Sequence, residues 1–325
     1  MINSCLTDIN NENDKILVKI LKILMKTIIK TIITLIIFYI LFTYIDIETV
    51  LKTIEDATLF YIFLALLSQL ASTYLAAYRW RLIMKLLEFK ESVSFYVQSY
   101  FKGSFFNQLL PSSIGGDAIR VIELGQHGYS KKEAFYGIFV DRVIGLVGLV
   151  VLNLIANLVF YGLFPVWLFQ LINMVTMGAI AGFIVLMNLK RLHFLQRFQI
   201  SDLFYRLSKR LNSLYSSKRV LIAHLSISMV VHVFSILAVY ALALSVHLKL
   251  DLDVFLVAIP PIFLLTIVPI SLAGWGVRES AMVGILLLVG AAKSEVLAIS
   301  ILYGLVLIVS SLPGAYFWMI SKKGV

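Results

Sequence analysis

Residues 111–120 read PSSIGGDAIR and residues 269–278 read PISLAGWGVR, and both stretches fit the pattern Pro-x-Ser-x-x-Gly-x-x-x-Arg. The two copies lie about half a chain length apart. Each copy follows an apolar stretch, FFNQLL or FLLTIV, and leads into another apolar segment. Proline and glycine that interrupt hydrophobic segments at corresponding positions of two halves are typical of a transport site between broken helices. The duplication therefore predicts two related halves with a site between them.

The composition excludes an ordinary soluble domain. Hydrophobic residues make up 60% of the 325 residues and charged residues only 14%. Several runs approach the roughly 20 apolar residues that a helix needs to cross a bilayer. These runs do not alternate as the strands of a membrane barrel do. The sequence therefore predicts an all-α polytopic membrane protein, and its single cysteine, Cys5, excludes a disulfide framework and a cysteine-based metal site.

The net charge of +10 indicates membrane orientation rather than nucleic-acid binding, because the basic residues lie between hydrophobic segments. Residues 1–26 are interpreted as a polar and basic cytoplasmic segment, without an evident signal peptide. Residues 27–325 form a single transmembrane domain with repeat motifs at 107–123 and 265–281. Both termini are expected in the cytoplasm, and the multi-pass protein is expected in the plasma membrane.

Six segments are long and apolar enough to be full crossings. They cover about residues 27–45, 59–78, 136–160, 166–188, 220–246 and 295–320. Arg79 and Arg81 are expected to mark the cytoplasmic end of the second span. The segment 189–219 holds eight basic residues against one acid and is predicted to contain an interfacial helix.

Two broken segments, 92–125 and 254–290, are interpreted as re-entrant helical hairpins. Their polar residues would be costly in contact with lipid, whereas irregular backbone at depth is tolerated where protein or water satisfies it. Three crossings separate the hairpins, so they would have inverted orientations and meet near the midplane. The alternative is a topology of eight transmembrane helices.

Arg120 and Arg278 are the main candidates for substrate binding. An intramembrane arginine must be paired or hydrated, and its guanidinium is well suited to bind phosphate in a bidentate manner. The glycines before each arginine, Gly116 and Gly274, would leave backbone N–H groups at a helix N-terminus free to join an anion site. The alternative is structural pairing, of Arg120 with Asp117 or Glu123 and of Arg278 with Glu279.

Other polar residues could contribute to the same site. Glu279 could be a counter-ion, a proton carrier, a contact for a cationic head group or one half of a structural salt bridge. Asp141 and Arg142 are adjacent and therefore point to different sides of a helix; they line the cavity or lie at the inner end of the third span. The polar side of the first hairpin would carry Lys102, Asn107 and Ser113, for which helix–helix contacts are the alternative. Ser271 is the counterpart of Ser113 in the second copy.

No enzyme signature is present. The sequence lacks a Walker A loop, a GxGxxG turn, an HExxH helix and a GxSxG elbow. A transporter without cofactor or metal is therefore expected. His224 and His232 are interpreted as packed, hydrogen-bonded residues.

Four stretches together resemble one known family. They are RW at 79–80, NQLLPSSIGGDAIR at 107–120, DR at 141–142 and GWGVRE at 274–279. The family is the lysylphosphatidylglycerol synthase transmembrane region family, also called flippase-like domain proteins. The resemblance implies an integral-membrane domain that moves a phospholipid head group, such as an aminoacylated phosphatidylglycerol, between leaflets. Its implied site residues are Pro111, Gly115, Gly116, Asp117, Arg120, Asp141, Arg142, Gly274, Gly276, Arg278 and Glu279.

The sequence departs from the bifunctional members of that family, because a soluble aminoacyltransferase domain is not expected within residues 1–325. Lipid synthesis is therefore not implied, and polyprenyl-phosphate lipids and glycolipids are further candidate cargoes. The resulting hypothesis is a lipid flippase in which Arg120 and Arg278 hold the lipid phosphate. The alternatives are a membrane transferase acting on a lipid-linked sugar and a scaffold that recruits a partner lipid synthase through residues 189–219.

Overall fold

The computed structural model describes residues 24–25, 27–110, 115–189, 202–267, 270–271 and 273–321. This part of the chain is helical and contains no strand, which confirms the all-α prediction. Most of the predicted amino-terminal segment, together with Pro111, Ser113 and Pro269 of the repeated motif, lies outside the described residues.

Twelve α-helices are described, and a short 3₁₀ helix, Leu287–Val289, follows the eleventh. In chain order they are α1 Thr27–Tyr44, α2 Ile47–Glu55, α3 Leu59–Leu86, α4 Val93–Leu109, α5 Gly115–Gln126, α6 Lys131–Val159, α7 Val166–Asn188, α8 Asp202–Leu214, α9 Lys218–Ser245, α10 Leu252–Ile267, α11 Val277–Leu286 and α12 Lys293–Ser321.

Six of these helices are long and apolar enough to cross a membrane: α1, α3, α6, α7, α9 and α12. They coincide with the six predicted spans, so the chain is a multi-pass membrane protein. The two broken segments form the shorter pairs α4–α5 and α10–α11. A helix of 17 residues such as α4 rises roughly 25 Å, which is less than the roughly 30 Å of bilayer hydrocarbon. Three spans, α6, α7 and α9, lie between the pairs, as predicted.

The second span is longer than predicted. The helix α3 continues through residue 78 to Leu86. Arg79 therefore lies inside this helix, and it is only 4% exposed. Arg79 is enclosed by other helices and paired with Asp141, so the helix end lies beyond it, whereas the assignment of this end to the cytoplasmic side stays a prediction.

Serine hydroxyls connect α3 to α9 along their shared face. Ser68 donates a 2.7 Å hydrogen bond to the carbonyl oxygen of Phe234, and Ser72 donates one of 2.9 Å to that of Val231. In a membrane such bonds contribute to helix association, since lipid chains are as apolar as the helices themselves. The pair α3–α9 thus forms a scaffold against which the other helices pack.

The pairs α4–α5 and α10–α11 are packed against this scaffold at different places. Trp80, Met84, Tyr96, Leu124 and Ile138 form a compact core that joins α3, α4, α5 and α6. A larger core joins the second pair to α9 and α12, and its members include Phe255, Ile262, Leu242, Leu286 and Leu302.

The helix α8 belongs to the basic segment predicted to contain an interfacial helix. Leu207 and Leu211, four residues apart and therefore on one face, are fully buried. Leu211 packs with Ile83 of α3 and with Val140 of α6. The apolar face of α8 is therefore covered by protein, while residues 190–201 lie outside the described part of the chain.

Candidate functional site

Five charged residues from three helices form one connected group, which we call the first charge cluster. Arg79 comes from α3, Asp117 and Arg120 from α5, and Asp141 and Arg142 from α6. The Nε of Arg79 donates a 2.9 Å hydrogen bond to Oδ1 of Asp141, and Nη1 of Arg120 lies 3.6 Å from Oδ2 of the same carboxylate. Asp141 thus lies between two guanidinium groups, and it is 1% exposed.

Asp117 likewise lies between two guanidinium groups, one of which, that of Arg120, it shares with Asp141. It pairs with Arg120, three residues further along α5, and accepts a 2.8 Å hydrogen bond from Nε of Arg142. Asp141 and Arg142 therefore point to different sides of α6, as their adjacency predicted. Of the two partners considered for Arg120, the structure places Asp117 in contact. The other, Glu123, accepts a 2.6 Å hydrogen bond from Nζ of Lys102.

Aromatic rings enclose the guanidinium of Arg120. Its Cζ lies 4.6 Å from the ring centre of Trp80 and 4.8 Å from that of Tyr100. Cations over aromatic faces at such distances are attracted to the ring quadrupole, most strongly where water is excluded. Nη1 of Arg120 has no hydrogen-bond partner within the described residues. A buried guanidinium with an unused N–H can still donate a hydrogen bond to an anionic oxygen.

Among the residues that the structure describes, the first charge cluster contains one more positive than negative charge. Three guanidinium groups face two carboxylates, and the neighbouring ion pair of Lys102 and Glu123 is neutral in sum. Charges inside a membrane domain are expensive unless they are paired or functional. The excess of one positive charge therefore suits a single anionic ligand.

A second charged group lies on α11 and α12, and it is neutral. Nη2 of Arg278 donates a 2.5 Å hydrogen bond to Oε1 of Glu279, and Ser300 bridges the same two side chains with hydrogen bonds of 3.2 and 3.1 Å. Both charged residues are buried, Arg278 at 3% and Glu279 at 0% exposure. The considered structural pairing of Arg278 with Glu279 is therefore present in the structure.

The surroundings of Arg278 resemble those of Arg120. Its Cζ lies 4.8 Å from the ring centre of Trp275 and 5.7 Å from that of Tyr303. Gly304 makes room for this arrangement, because a Cβ at that position would lie 2.3 Å from an atom of Trp275 and 2.6 Å from Nη2 of Arg278. Each repeated motif thus ends in a buried arginine held by a carboxylate and by a tryptophan and a tyrosine.

The glycines of the two motifs have distinct structural roles. Gly274 and Gly276 have φ angles of +83° and +84°, a region that favours glycine. Gly116 allows α5 to approach α4, since a Cβ there would lie 1.9 Å from the carbonyl oxygen of Gly103. At Gly115 a Cβ would lie 2.4 Å from the side chain of Leu110. These residues shape the backbone around the arginines.

The backbone N–H of Gly116, one of the two expected anion donors, and that of Gly276 at the start of α11 are occupied by protein acceptors. The N–H of Gly116 donates a 2.8 Å hydrogen bond to Oδ1 of Asn107, and that of Gly276 donates one of 2.6 Å to Oε2 of Glu279. Asn107 therefore joins α4 to the start of α5. Ser271 is 5% exposed, and its hydroxyl has no hydrogen-bond partner among the described residues.

A cavity of about 420 Å³ lies beside the first charge cluster. Its volume falls in the range of roughly 300–1,000 Å³ that is usual for small-molecule sites. Its charged lining consists of Arg79, Asp141 and Arg142. The other lining residues are Ala76, Tyr100, Phe139, Val143, Gly145, Leu146, Leu149, Val231, His232, Phe263 and Ile267. The cavity thus has a charged end and otherwise mainly apolar walls.

Neither Arg120 nor Arg278 lines this cavity directly. Arg120 reaches it through Asp141, its neighbour at 3.6 Å. Arg278 is separated from it by the stacked rings of Tyr303 and Phe263, whose centres lie 5.8 Å apart. The two motifs are therefore not brought to one surface in this structure, although the cavity is lined by helices from both halves.

Several site residues were not found by sequence reasoning. Arg79 was taken for a helix-end residue, Trp80 entered only as part of the RW pair in the family resemblance, and Tyr100, Ser300 and Tyr303 were not considered. The signal for Arg79 was indirect: an acid inside an apolar span, Asp141, requires a cation from another helix. The two histidines are hydrogen-bonded: His224 to the hydroxyl of Tyr215 and His232 to the carbonyl oxygen of Gly145.

Comparison with known proteins agrees with the resemblance found in the sequence. The sequence model described as the lysylphosphatidylglycerol synthase TM region matches residues 27–314, which include both repeated motifs, the first five described spans and most of α12. No curated protein matches the chain. The chain belongs to the lysylphosphatidylglycerol synthase transmembrane region family.

Proposed function

We propose that this protein is a lipid flippase or lipid transporter that moves a phosphate-containing lipid between leaflets. The cavity beside the first charge cluster is the observation that supports this function most directly. It combines a charged end with apolar walls, as does a lipid with a phosphate head and hydrocarbon chains. The cavity is open on one side, and its lining includes Ile267 and Leu146, which are 50% and 37% exposed. A lipid can therefore enter sideways from the bilayer.

The phosphate binds first to the guanidinium of Arg142, which lines the cavity and has a side chain 46% exposed. The phosphate then replaces one of the carboxylates that contact Arg120, and Arg120 donates a hydrogen bond to it through the unused Nη1. Arginine suits this role because its planar guanidinium can donate two hydrogen bonds to one phosphate. The net positive charge of the cluster favours this exchange.

Arg278 takes part when the second hairpin moves. The stacked rings of Phe263 and Tyr303 separate it from the cavity, so a shift of α10 relative to α12 is needed to expose it. The pairs α4–α5 and α10–α11 act as re-entrant hairpins of inverted orientation, and alternation between them moves the phosphate across the midplane. Lipid movement is driven by an ion gradient or by consumption of the lipid. Without such a driving force, the protein equilibrates the lipid between the leaflets.

Movement of lipid in proteoliposomes tests the function. The native protein is compared with Arg120→Ala and Arg278→Ala, using short-chain fluorescent phosphatidylglycerol, lysyl-phosphatidylglycerol and a polyprenyl phosphate. Arg81→Ala, on α3 but outside both charged groups, is the matched control. We expect the native and control proteins to accelerate the exchange of one lipid between leaflets, and both arginine variants to lose this acceleration. Exchange that survives both substitutions would contradict the role of the two arginines.

A further inference from the structure

A second, fully apolar groove of about 240 Å³ lies between α6 and α7. Val143, Leu146, Val147 and Val150 form its wall on α6, at the spacing of one helix face. Gly182 and Phe183 are among the residues that form the opposite wall on α7. No described atom lies within 4 Å of the place where a Cβ at Gly182 would be. Gly182 is exposed, so a larger side chain can be accommodated at this position of the groove wall.

Polar contacts fix α7 on both sides of this groove. Towards the loop that joins the helices, Thr176 donates a 3.2 Å hydrogen bond to Asn153 of α6. At the other end of α7, the carbonyl oxygen of Met187 accepts hydrogen bonds from Ser208 and Asn212 of α8. These bonds tie α7 to α6 just before the groove-lining residues of α7 and to α8 just after them.

The groove adjoins the cavity beside the first charge cluster. Val143 and Leu146 line both spaces. Val143 directly follows Arg142, the exposed guanidinium of the cluster. A ligand with an anionic group at Arg142 and a hydrocarbon chain attached to it would therefore extend into the groove along α6.

We propose that the groove between α6 and α7 binds one acyl chain of the lipid whose phosphodiester group binds at the first charge cluster. This inference rests on the proposed function only in taking a lipid phosphate as the ligand. Transfer of a chain from bilayer to groove gains little hydrophobic free energy, since both surroundings are apolar. The groove therefore orients the lipid and fixes the position of its head group, and selectivity arises at the charged end.

Photo-crosslinking in nanodiscs tests the groove without requiring lipid movement. The probes are phosphatidylglycerol and diacylglycerol that carry the same diazirine in the middle of one acyl chain, at equal mole fraction. Crosslinked peptides of α6 and α7 are quantified by mass spectrometry. The variants are Gly182→Phe, which adds a ring at a position that lines the groove, and Gly178→Phe, which adds the same ring one turn away at an α7 position that does not line it; both glycines are exposed and have free space at the Cβ position. Arg142→Ala removes the exposed guanidinium.

The expected result is several-fold more crosslinking around Phe183 with phosphatidylglycerol than with diacylglycerol. This preference falls several-fold in Gly182→Phe and in Arg142→Ala and is unchanged in Gly178→Phe. Equal crosslinking by both probes would mean that bulk lipid fills the groove, and protein–protein crosslinks at Phe183 would assign it to a second copy; either result overturns the inference. Selective crosslinking without lipid movement in proteoliposomes would support the groove as an acyl-chain site and contradict only the transport function.

Discussion

The guanidinium of Arg79 on α3 donates a 2.9 Å hydrogen bond to the carboxylate of Asp141 on α6, and both side chains are almost completely buried. Asp141 also faces Arg120 of α5 at 3.6 Å. One carboxylate therefore connects a long scaffold helix, a span and the first broken segment. The charged end of the cavity thus holds these three helices together and is also a candidate binding surface.

Asp141→Asn is expected to destabilise the fold strongly. It leaves the guanidinium of Arg79 buried without its counter-charge, and removal of one partner of a buried ion pair typically costs about 3–5 kcal/mol. The free energy of unfolding can be measured by SDS titration in mixed micelles. Asp251→Asn, at an exposed position between α9 and α10, is the control. Equal stability of the two variants would contradict the assigned role of Asp141.

Arg142→Gln is expected to weaken anion binding with little effect on stability. The side chain of Arg142 is 46% exposed, and partly exposed ion pairs contribute about 0–1 kcal/mol. Asp117 keeps its contact with Arg120 in this variant, while the cluster loses its excess positive charge. Binding of a short-chain phosphatidylglycerol, followed by tryptophan fluorescence, should become weaker and less sensitive to salt.

Arg142→Lys is the matched control for this loss of charge. It should retain much of the salt dependence, because the positive charge remains, although it loses the planar donor geometry of arginine. If Arg142→Gln bound phosphatidylglycerol as tightly as the native protein at both low and high salt, the anion would bind elsewhere.

Gly116→Ala is expected to separate the two helices of the first broken segment. The new Cβ would lie 1.9 Å from the carbonyl oxygen of Gly103, so the backbones of α4 and α5 must move apart. The hydrogen bond from Gly116 to Asn107 and the position of Arg120 would be disturbed together. Lowered thermal stability and loss of lipid binding are expected, both measured in detergent micelles.

Gly284→Ala provides the comparison, because no described atom lies within 4 Å of its Cβ position on α11. Alanine at a helix position with free space is favoured over glycine by up to about 1 kcal/mol. This variant should therefore be at least as stable as the native protein. If Gly116→Ala and Gly284→Ala lowered the thermal stability equally, glycine would not be needed for the contact of α4 with α5.

The helices were predictable because the signal for them is local. A run of apolar residues decides whether a segment can span a bilayer, and the six predicted spans correspond to the six long apolar helices. The prolines and glycines of the two motifs marked the places where the helices break. Arg120 and Arg278 stood out for the same reason, as charges beside breaks in apolar sequence.

The contacts of the site were less predictable because they join distant parts of the chain. Arg79 and Asp141 are 62 residues apart, and Arg79 and its other partner, Ser228, are 149 residues apart. No periodicity connects such residues. Only the packing of α3 against α6 and α9 turns a basic residue, predicted to lie at a helix end, into the centre of a buried cluster.

Glu279→Gln is expected to release the start of α11. The carboxylate accepts a 2.6 Å hydrogen bond from the backbone N–H of Gly276, just before the helix begins, and pairs with Arg278 through its other oxygen. A glutamine keeps the shape but loses the charge that compensates a fully buried guanidinium, at a cost of about 3–5 kcal/mol. Hydrogen exchange measured by mass spectrometry should show faster exchange in α11 and lower overall stability. Glu55→Gln, at the exposed end of α2, should change neither quantity. Unchanged exchange in α11 of Glu279→Gln would mean that Ser300 and the aromatic rings hold Arg278 without the carboxylate.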